Sequence, residues 1–301
     1  MFRAHPAAPA PMLVIYNPTA GRRRAARLWR VLDVLVGHGV ALELVETTHA
    51  GHARALARDA ARRGAELVVA AGGDGTVAEV TDGLGAGATR LGIIPIGTAN
   101  VLAHELRLPT DPGSVAAALI GGRTRTLWPG RLSGPGGERL FVQMLGVGFD
   151  AQVVHHVSGP VKRALGRGAY VAQTLRELPR YRFAAIHVRL DGRERSAGSV
   201  IVSKGCLYGG PYRLAPDAVP DSPGFSVALF AEGGIGQALL AGMALPLNLL
   251  PRLPGLRIER AHRVELMGDQ DLPAQADGDP AGTTPLRIDD APGPVAVMVG
   301  R

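Results

Sequence analysis

Three things are scarce in this chain of 301 residues. Cysteine occurs once, at Cys206. That rules out an internal disulfide and sets a reducing compartment, the cytoplasm, as the expectation. A solitary cysteine reads as a small apolar side chain rather than a nucleophile. Aromatic residues make up only 4%, too few for the stacking platforms on which single strands are bound. No nucleic-acid partner is therefore expected, although the formal charge is +7. Long apolar runs are missing as well. Met1–Pro11 has no stretch of the kind that heads a secretory leader. The most apolar later run, Ala238–Leu253, is interrupted by Pro246 and Pro251 and is too short to span a bilayer. It reads first as core and second as a surface that meets lipid or a partner.

What is present suits a folded enzyme. Hydrophobic residues are 46% and charged residues 20%, enough to bury a core. The 41 glycines and 23 prolines have no collagen-like period and read as turns. The positive excess suits nucleotides or an acidic membrane surface. Part of it is clustered at Arg22, Arg23, Arg24, Arg27 and Arg30, on either a solvated helix face or a phosphate-facing one.

The first third alternates between strand and helix periods. Met12–Tyr16 is a short apolar run, and Arg22–Val36 has a helical stripe through Leu28, Val31, Leu32, Leu35 and Val36. Ala41–Val45, Glu66–Ala71 and Leu91–Ile96 read as further strands, with helices over His52–Arg63 and Thr76–Leu84. The continuous apolarity of Glu66–Ala71 is that of a parallel strand covered on both faces. This alternation predicts an open, mostly parallel sheet with right-handed crossovers. From about residue 125 strand patterns dominate: Leu140–Leu145, Phe183–Leu190, Ser199–Ser203, Phe225–Phe230, Arg263–Met267, Leu286–Ile288 and Val295–Val299. Asp191-Gly192 reads as the turn of a hairpin between Phe183–Leu190 and Ser199–Ser203. Val161–Leu178 and Ile235–Leu250 read as helices. The expected division is an α/β domain over 1–125 and a β-rich domain over 126–293.

The sharpest local feature is Gly72-Gly73-Asp74-Gly75-Thr76, between a buried strand and a helix. Glycines let backbone amides approach an anion, and a helix start offers free N–H groups with the dipole behind them. Thr76 reads as the helix cap, with Glu79 as its capping-box partner. Asp74 is out of place beside a phosphate unless it holds a metal, a water or a ribose. Two more polar loops follow strands at the same edge of the sheet: Asn17-Pro18-Thr19-Ala20-Gly21, leading into Arg22, and Pro95-Ile96-Gly97-Thr98-Ala99-Asn100. Ligands of open parallel sheets bind outside the carboxyl ends of the strands, so the three loops predict one nucleotide cleft.

These motifs resemble the diacylglycerol kinase catalytic family, which includes bacterial lipid kinases and the sphingosine and ceramide kinases. The resemblance extends to Glu46-Thr47-Thr48 with Gly51-His52-Ala53, to Gly146–Ala151, and to Asp277-Gly278-Asp279. It implies an NAD-kinase- and phosphofructokinase-like N-terminal α/β domain, a C-terminal β-sandwich, and a last strand, about 294–301, that returns to the first domain. It further implies a kinase that uses ATP and Mg2+ to phosphorylate the hydroxyl of a lipid, diacylglycerol-like or sphingoid, in the cleft between the domains. By matched motif, Asn17, Pro18, Thr19, Gly21, Arg22, Thr47, Gly72, Gly73, Asp74, Gly75, Thr76, Thr98 and Asn100 would contact ATP. Asp279 or Asp277 would accept the hydroxyl proton, and Asp221 would hold a magnesium ion. If extended, Asp277 and Asp279 would share one face. The family's usual Asp after Asn100 is Val101 here, its Asn is replaced by Ala78, its final Glu by Asp279, and its tighter metal turn by Asp221-Ser222-Pro223-Gly224. The implied partners are ATP, a lipid alcohol and the inner membrane face as a peripheral contact. Monomer and homodimer are both left open. The competing readings are an inactive nucleotide- or lipid-binding regulator and a kinase of another hydroxyl compound such as NAD.

Overall fold

The computed structural model describes residues 11–20, 25–156, 173–231 and 233–300. The first unit runs β1 (Met12–Tyr16), α1 (Ala25–Gly37), β2 (Leu42–Glu46), α2 (His52–Arg62), β3 (Leu67–Gly72), α3 (Asp74–Leu84), β4 (Arg90–Pro95), α4 (Val101–Glu105), α5 (Pro112–Gly121) and β5 (Arg123–Leu127). Val36, read in the sequence as part of the apolar stripe of α1, is exposed; Leu28, Val31, Leu32 and Leu35 are its buried members. They pack with α5 on one face of the sheet, while α2, α3 and α4 cover the other. Because both faces are covered, β3 has buried side chains on each side of its pleat.

The chain then forms β6 (Gly130–Gly134), β7 (Gly137–Phe141), β8 (Met144–Val147), α6 (Phe149–His156), β9 (Ile186–Leu190), β10 (Arg193–Ala197), β11 (Ser199–Ser203), β12 (Leu207–Tyr208), β13 (Tyr212–Arg213) and β14 (Phe225–Phe230). After α7 (Ile235–Ala244) come β15 (Leu256–Ala261), β16 (Val264–Gly268), β17 (Pro273–Ala276), β18 (Asp279–Thr283), β19 (Leu286–Asp290) and β20 (Val295–Val299). Two six-stranded sheets, β10-β9-β16-β19-β6-β7 and β15-β14-β11-β8-β17-β18, face each other as a sandwich. One apolar cluster fills the space between them, with Phe141, Val188, Val200, Phe225 and Leu266 among its members. Along β9, Ile186, Val188 and Leu190 are buried while His187 is exposed, the alternation of a sheet wet on one side. Strand β20 then crosses back. The first sheet reads β2-β1-β3-β4-β20-β5, with β20 parallel to β4 and antiparallel to β5. Among the described residues, no helix is long and apolar enough to cross a membrane.

Several sequence expectations need correcting. The Asp191-Gly192 turn joins β9 to β10, not to Ser199–Ser203. Arg193-Glu194-Arg195 alternates in charge rather than apolarity, so it lacks a strand's hydrophobic signal, and Ser199–Ser203 belongs to the opposite sheet. Helix α3 starts at Asp74, inside the glycine loop, with Gly73 as its N-cap and no side-chain cap. Thr76 is therefore already helical. Glu79 does not close a capping box on it; its carboxylate accepts the amides of Gly51 (2.8 Å) and Ala53 (3.2 Å) and so caps α2. The run Ala238–Leu253 is not core along its helix, because α7 has no buried residue. The helix predicted over Val161–Leu178 falls mostly outside the described residues; 173–177 is helical.

Helices α2 and α3 touch at Gly83, where any Cβ would collide with the Arg54 carbonyl and the Ala57 methyl. Gly83→Ala should push α2 off α3 and cost about 1–3 kcal/mol, read as a lower urea midpoint at unchanged slope.

Candidate active site

A cleft of about 1990 Å³ lies between the α/β unit and the sandwich. Its polar end is built from the three loops. Asn17, Thr19 and Thr47 line it from β1 and β2, Gly73 through Thr76 from the start of α3, and Thr98 from the loop after β4. Asn17 ties two of these loops together. Its Nδ2 donates to Thr76 Oγ1 at 3.1 Å, and its Oδ1 accepts from the Thr19 amide (3.0 Å) and hydroxyl (2.8 Å). Gly72 and Gly97 close the loop from behind; a Cβ on Gly72 would strike Thr76, and one on Gly97 would strike Gly73. Asn100 adopts φ 48° and donates to the Gly97 carbonyl at 2.9 Å, which sets the shape of the third loop. Pro18, Gly72, Asn100 and Asp221 do not line the cleft. Gly21 and Arg22 lie outside the described residues.

Asp74 has a job the sequence hid. Its Oδ1 accepts the Leu102 amide at 3.2 Å. The carboxylate thus faces the start of α4, where free amides and the helix dipole favour a negative charge. Burial raises its pKa above the ordinary carboxylate range, although the amides of Leu102 and Val101 pull it back.

The late acidic motif is a hairpin turn. Ala276 pairs with Asp279 across β17 and β18, leaving Asp277 and Gly278 as a two-residue loop with φ of 52° and 83°. Positive φ at both positions is the primed turn for which Asp-Gly is favoured. The two aspartates therefore do not share the face of an extended strand. Asp277 turns inward: Oδ2 accepts the Val142 amide at 2.8 Å, and Oδ1 accepts those of Gln143 (2.8 Å) and Met144 (3.0 Å). Burial pushes its pKa up to about 6 against the pull of those three amides. Asp279 projects the other way, into the cleft, with its carboxylate against the Cα of Gly75, where any side chain would collide with it. The sandwich thereby sets a carboxylate directly over the first turn of α3.

Residues without a motif complete the arrangement. The Arg139 guanidinium donates to the carbonyls of Pro280 (3.2 Å) and Ala276 (3.5 Å), bracing the turn from below. Arg54 and Asp82 pair at 3.0 Å along the same wall. Gln143 and the Leu207 amide both donate to Glu105 Oε2, joining α4 to the sandwich. None of these stands out in the sequence, because each is one charged or amide side chain among many. Only a contact between residues far apart in the chain gives it meaning. Asp150 is different: it stands in a glycine-rich run, lines the cleft, and accepts from Tyr208 Oη and from Gln275 Nε2 (2.9 Å). Burial raises its pKa above the usual carboxylate range.

The expected metal loop does not fit a metal. Asp221 is exposed and lies 3.7 Å from Arg125. The cation of that loop is an ammonium group. Lys204 Nζ, with its side chain fully buried, donates to the carbonyls of Ser222 (3.0 Å) and Gly224 (2.9 Å) and to Asp290 Oδ1 (3.1 Å). Asp290 also accepts the Gly224 amide. Burial lowers the Lys204 pKa and the Asp290 charge opposes that shift. Among the described residues, no group of three or more His, Cys, Asp or Glu side chains could hold a metal ion.

Comparison with known proteins places the chain in a family. Residues 11–132 match the profile of the diacylglycerol kinase catalytic domain. Residues 143–299 match that of the YegS C-terminal NAD kinase beta sandwich-like domain. The chain is 30% identical over 279 residues to a protein of Bacillus subtilis named diacylglycerol kinase, covering 90% of each. It is 30% identical over 260 residues to one of Pseudomonas aeruginosa named "Probable lipid kinase YegS-like", covering 82% and 81%. A Bacillus anthracis crystal structure shares the fold with a TM-score of 0.80 at 21% identity over 99% of both chains. The chain belongs to the diacylglycerol kinase family and is an enzyme of the lipid kinase class.

Two outcomes follow from the site's construction. Asp277→Asn would set a side-chain amide against the backbone amides it now accepts, and should cost about 1–3 kcal/mol of stability in a denaturant melt. The wild-type protein should melt at one temperature in Mg2+ and in EDTA, because Lys204 supplies the loop's cation. Lys204→Met, which strands Asp290, should lose about 3–5 kcal/mol.

Proposed function

We propose that this member of the diacylglycerol kinase family transfers the γ-phosphoryl group of ATP to the hydroxyl of a diacylglycerol-like lipid. The observation that carries this reading is the seating of Asp279 against Gly75. One carboxylate, delivered by the sandwich, sits over the amides that would hold a triphosphate. The other end of the same cleft is apolar, lined by Phe149, Val153, Leu178 and Phe183.

Phosphoryl transfer needs position and charge stabilisation more than covalent help. The amides of Gly75 and Thr76 lie in the first helical turn, where no carbonyl one turn back can accept them. They would bind phosphoryl oxygens with the α3 dipole behind them. Asn17, Thr19, Thr47 and Thr98 would add side-chain donors around the nucleotide. Magnesium would arrive on the nucleotide's own phosphates and would offset the charge that grows on them during transfer. Asp279 would accept the lipid hydroxyl proton as the new O–P bond forms and the bond to ADP breaks. Asp277 then acts as a positioning residue, holding the turn by its three amide contacts without meeting substrate. Asp150, with Tyr208 and Gln275, would meet the polar head of the lipid where the cleft turns from polar to apolar.

The test is phosphate transfer from labelled ATP to diacylglycerol, sphingosine, ceramide and phosphatidylglycerol. The expected result is a labelled diacylglycerol. Asp279→Asn should keep nucleotide binding and lower kcat by at least about 100-fold, the scale of a lost general base. Binding of ATP with no labelled lipid would leave a nucleotide-binding regulator instead, and label on NAD would make it a kinase of that compound.

A further inference from the structure

The apolar run Ala238–Leu253, which reads first as core and second as a surface that meets lipid or a partner, lies on the surface along its helix. None of the residues of α7 is buried. Leu240 is 48% exposed, Met243 61% and Leu247 66%. Ile235, Leu239 and Leu249 are exposed as well. Large apolar side chains packed this closely on a surface mark a place where something else docks. The segment is nonetheless held firmly. Leu250 and Leu253 behind it are buried in a small cluster with Ile201 and Phe230, and Gln237 Nε2 donates to the Pro254 carbonyl at 2.8 Å. It is therefore a fixed platform with its apolar face turned outward.

The platform adjoins the cleft. Leu239, Met243, Leu245 and Pro246 line the cleft as well as the platform's edge, and Leu175, 61% exposed, lines the cleft from the other segment at its mouth. An apolar path thus runs from the outer face of α7 down to Phe149 and Phe183. The segment itself carries charge of one sign. From Ile235 to Ile258 the sequence has no Asp or Glu, while Arg252 and Arg257 are exposed. Exposed Arg213 is drawn to the same rim, its amide donating to Asn248 Oδ1 at 2.8 Å.

We infer that α7 and the turn through Leu249 are a membrane-docking platform, which inserts its apolar side chains into an anionic bilayer surface and brings the cleft mouth to the acyl chains there. The inference rests on the lipid-kinase reading above. Apolar side chains immersed beside arginines at headgroup depth are the usual composition of an interfacial anchor. A bilayer fits this site better than a second copy of the chain or another protein. A protein seated on Leu240 and Met243 would also cover the opening through which a lipid must enter, whereas a bilayer supplies the substrate at that opening.

The test uses Leu240→Asp and Leu247→Asp, singly and together, since neither side chain lines the cleft. Val36→Asp on α1, equally exposed at 60% and away from the cleft, is the control. Co-sedimentation is measured with vesicles of phosphatidylcholine, with and without phosphatidylglycerol. Wild type and Val36→Asp should bind the anionic vesicles, more weakly as salt rises. The double variant should bind at least tenfold less, with the single variants between. In parallel, phosphorylation of a short-chain diacylglycerol in free solution should be equal in all five proteins. This arm also shows that the variants are folded and tests the lipid-kinase reading separately: if it fails in wild type while vesicle binding behaves as expected, the function is wrong and the platform stands. Wild type that ignores vesicles, or a double variant that binds like wild type, overturns the platform. So does a wild-type dimer that the double variant turns into monomer, which would make α7 a protein interface.

Discussion

One carboxylate fixes the turn by which the sandwich reaches the helix start of the α/β unit. Asp277 gathers the amides of Val142, Gln143 and Met144, the segment between β7 and β8 by which the sandwich adjoins the α/β unit. Those amides would otherwise be buried without acceptors at the bottom of a cleft, an arrangement proteins avoid. By accepting all three, Asp277 fixes the hairpin turn in space, and the residue two places on is carried to Gly75. The position of Asp279 is thus a consequence of where Asp277 finds its hydrogen bonds. The absence of a side chain at Gly75 is what lets the carboxylate come so close to the helix start.

The same device recurs around the cleft. Asp74 caps α4 and Glu79 caps α2, each reaching out of α3 to the amides of another helix. Three acidic residues near a phosphate-type loop therefore serve backbone amides, and their charge is spent before any ligand arrives. The polar end of the cleft is accordingly less negative than its composition suggests. Lys204 plays the mirrored part in the sandwich, donating to two carbonyls and Asp290 where a metal was expected. Each group does for the backbone what an ion or a water would otherwise do, and each loop keeps one shape as a result.

Much of the architecture could be read from the chain. The stripe of α1 and the unbroken apolarity of β3 are local patterns, and they appear in the structure within a residue or two of where they were read. So are the glycine loop and the Asp191-Gly192 turn. What failed did so for a shared reason. β10 was invisible because an edge strand with wet, charged faces carries no hydrophobic alternation. Thr76 looked like a cap because Ser and Thr usually are, but the glycines ahead of it let the helix begin earlier. Ala238–Leu253 looked like core because apolarity alone does not say which side of a surface a residue is on.

By itself, the sequence determined the alternation of strand and helix, the loops able to bind an anion, and the residue types available to a kinase, because these depend on neighbours within a few positions. Tertiary structure alone decided which of two aspartates in one turn meets Gly75, which carboxylates are occupied by distant amides, and that Lys204 fills the loop beside Asp221. It also decided that α7 faces outward. Those outcomes depend on partners dozens to more than a hundred residues away. A one-dimensional pattern holds no record of them, because burial and hydrogen bonding are settled only when the chain closes on itself.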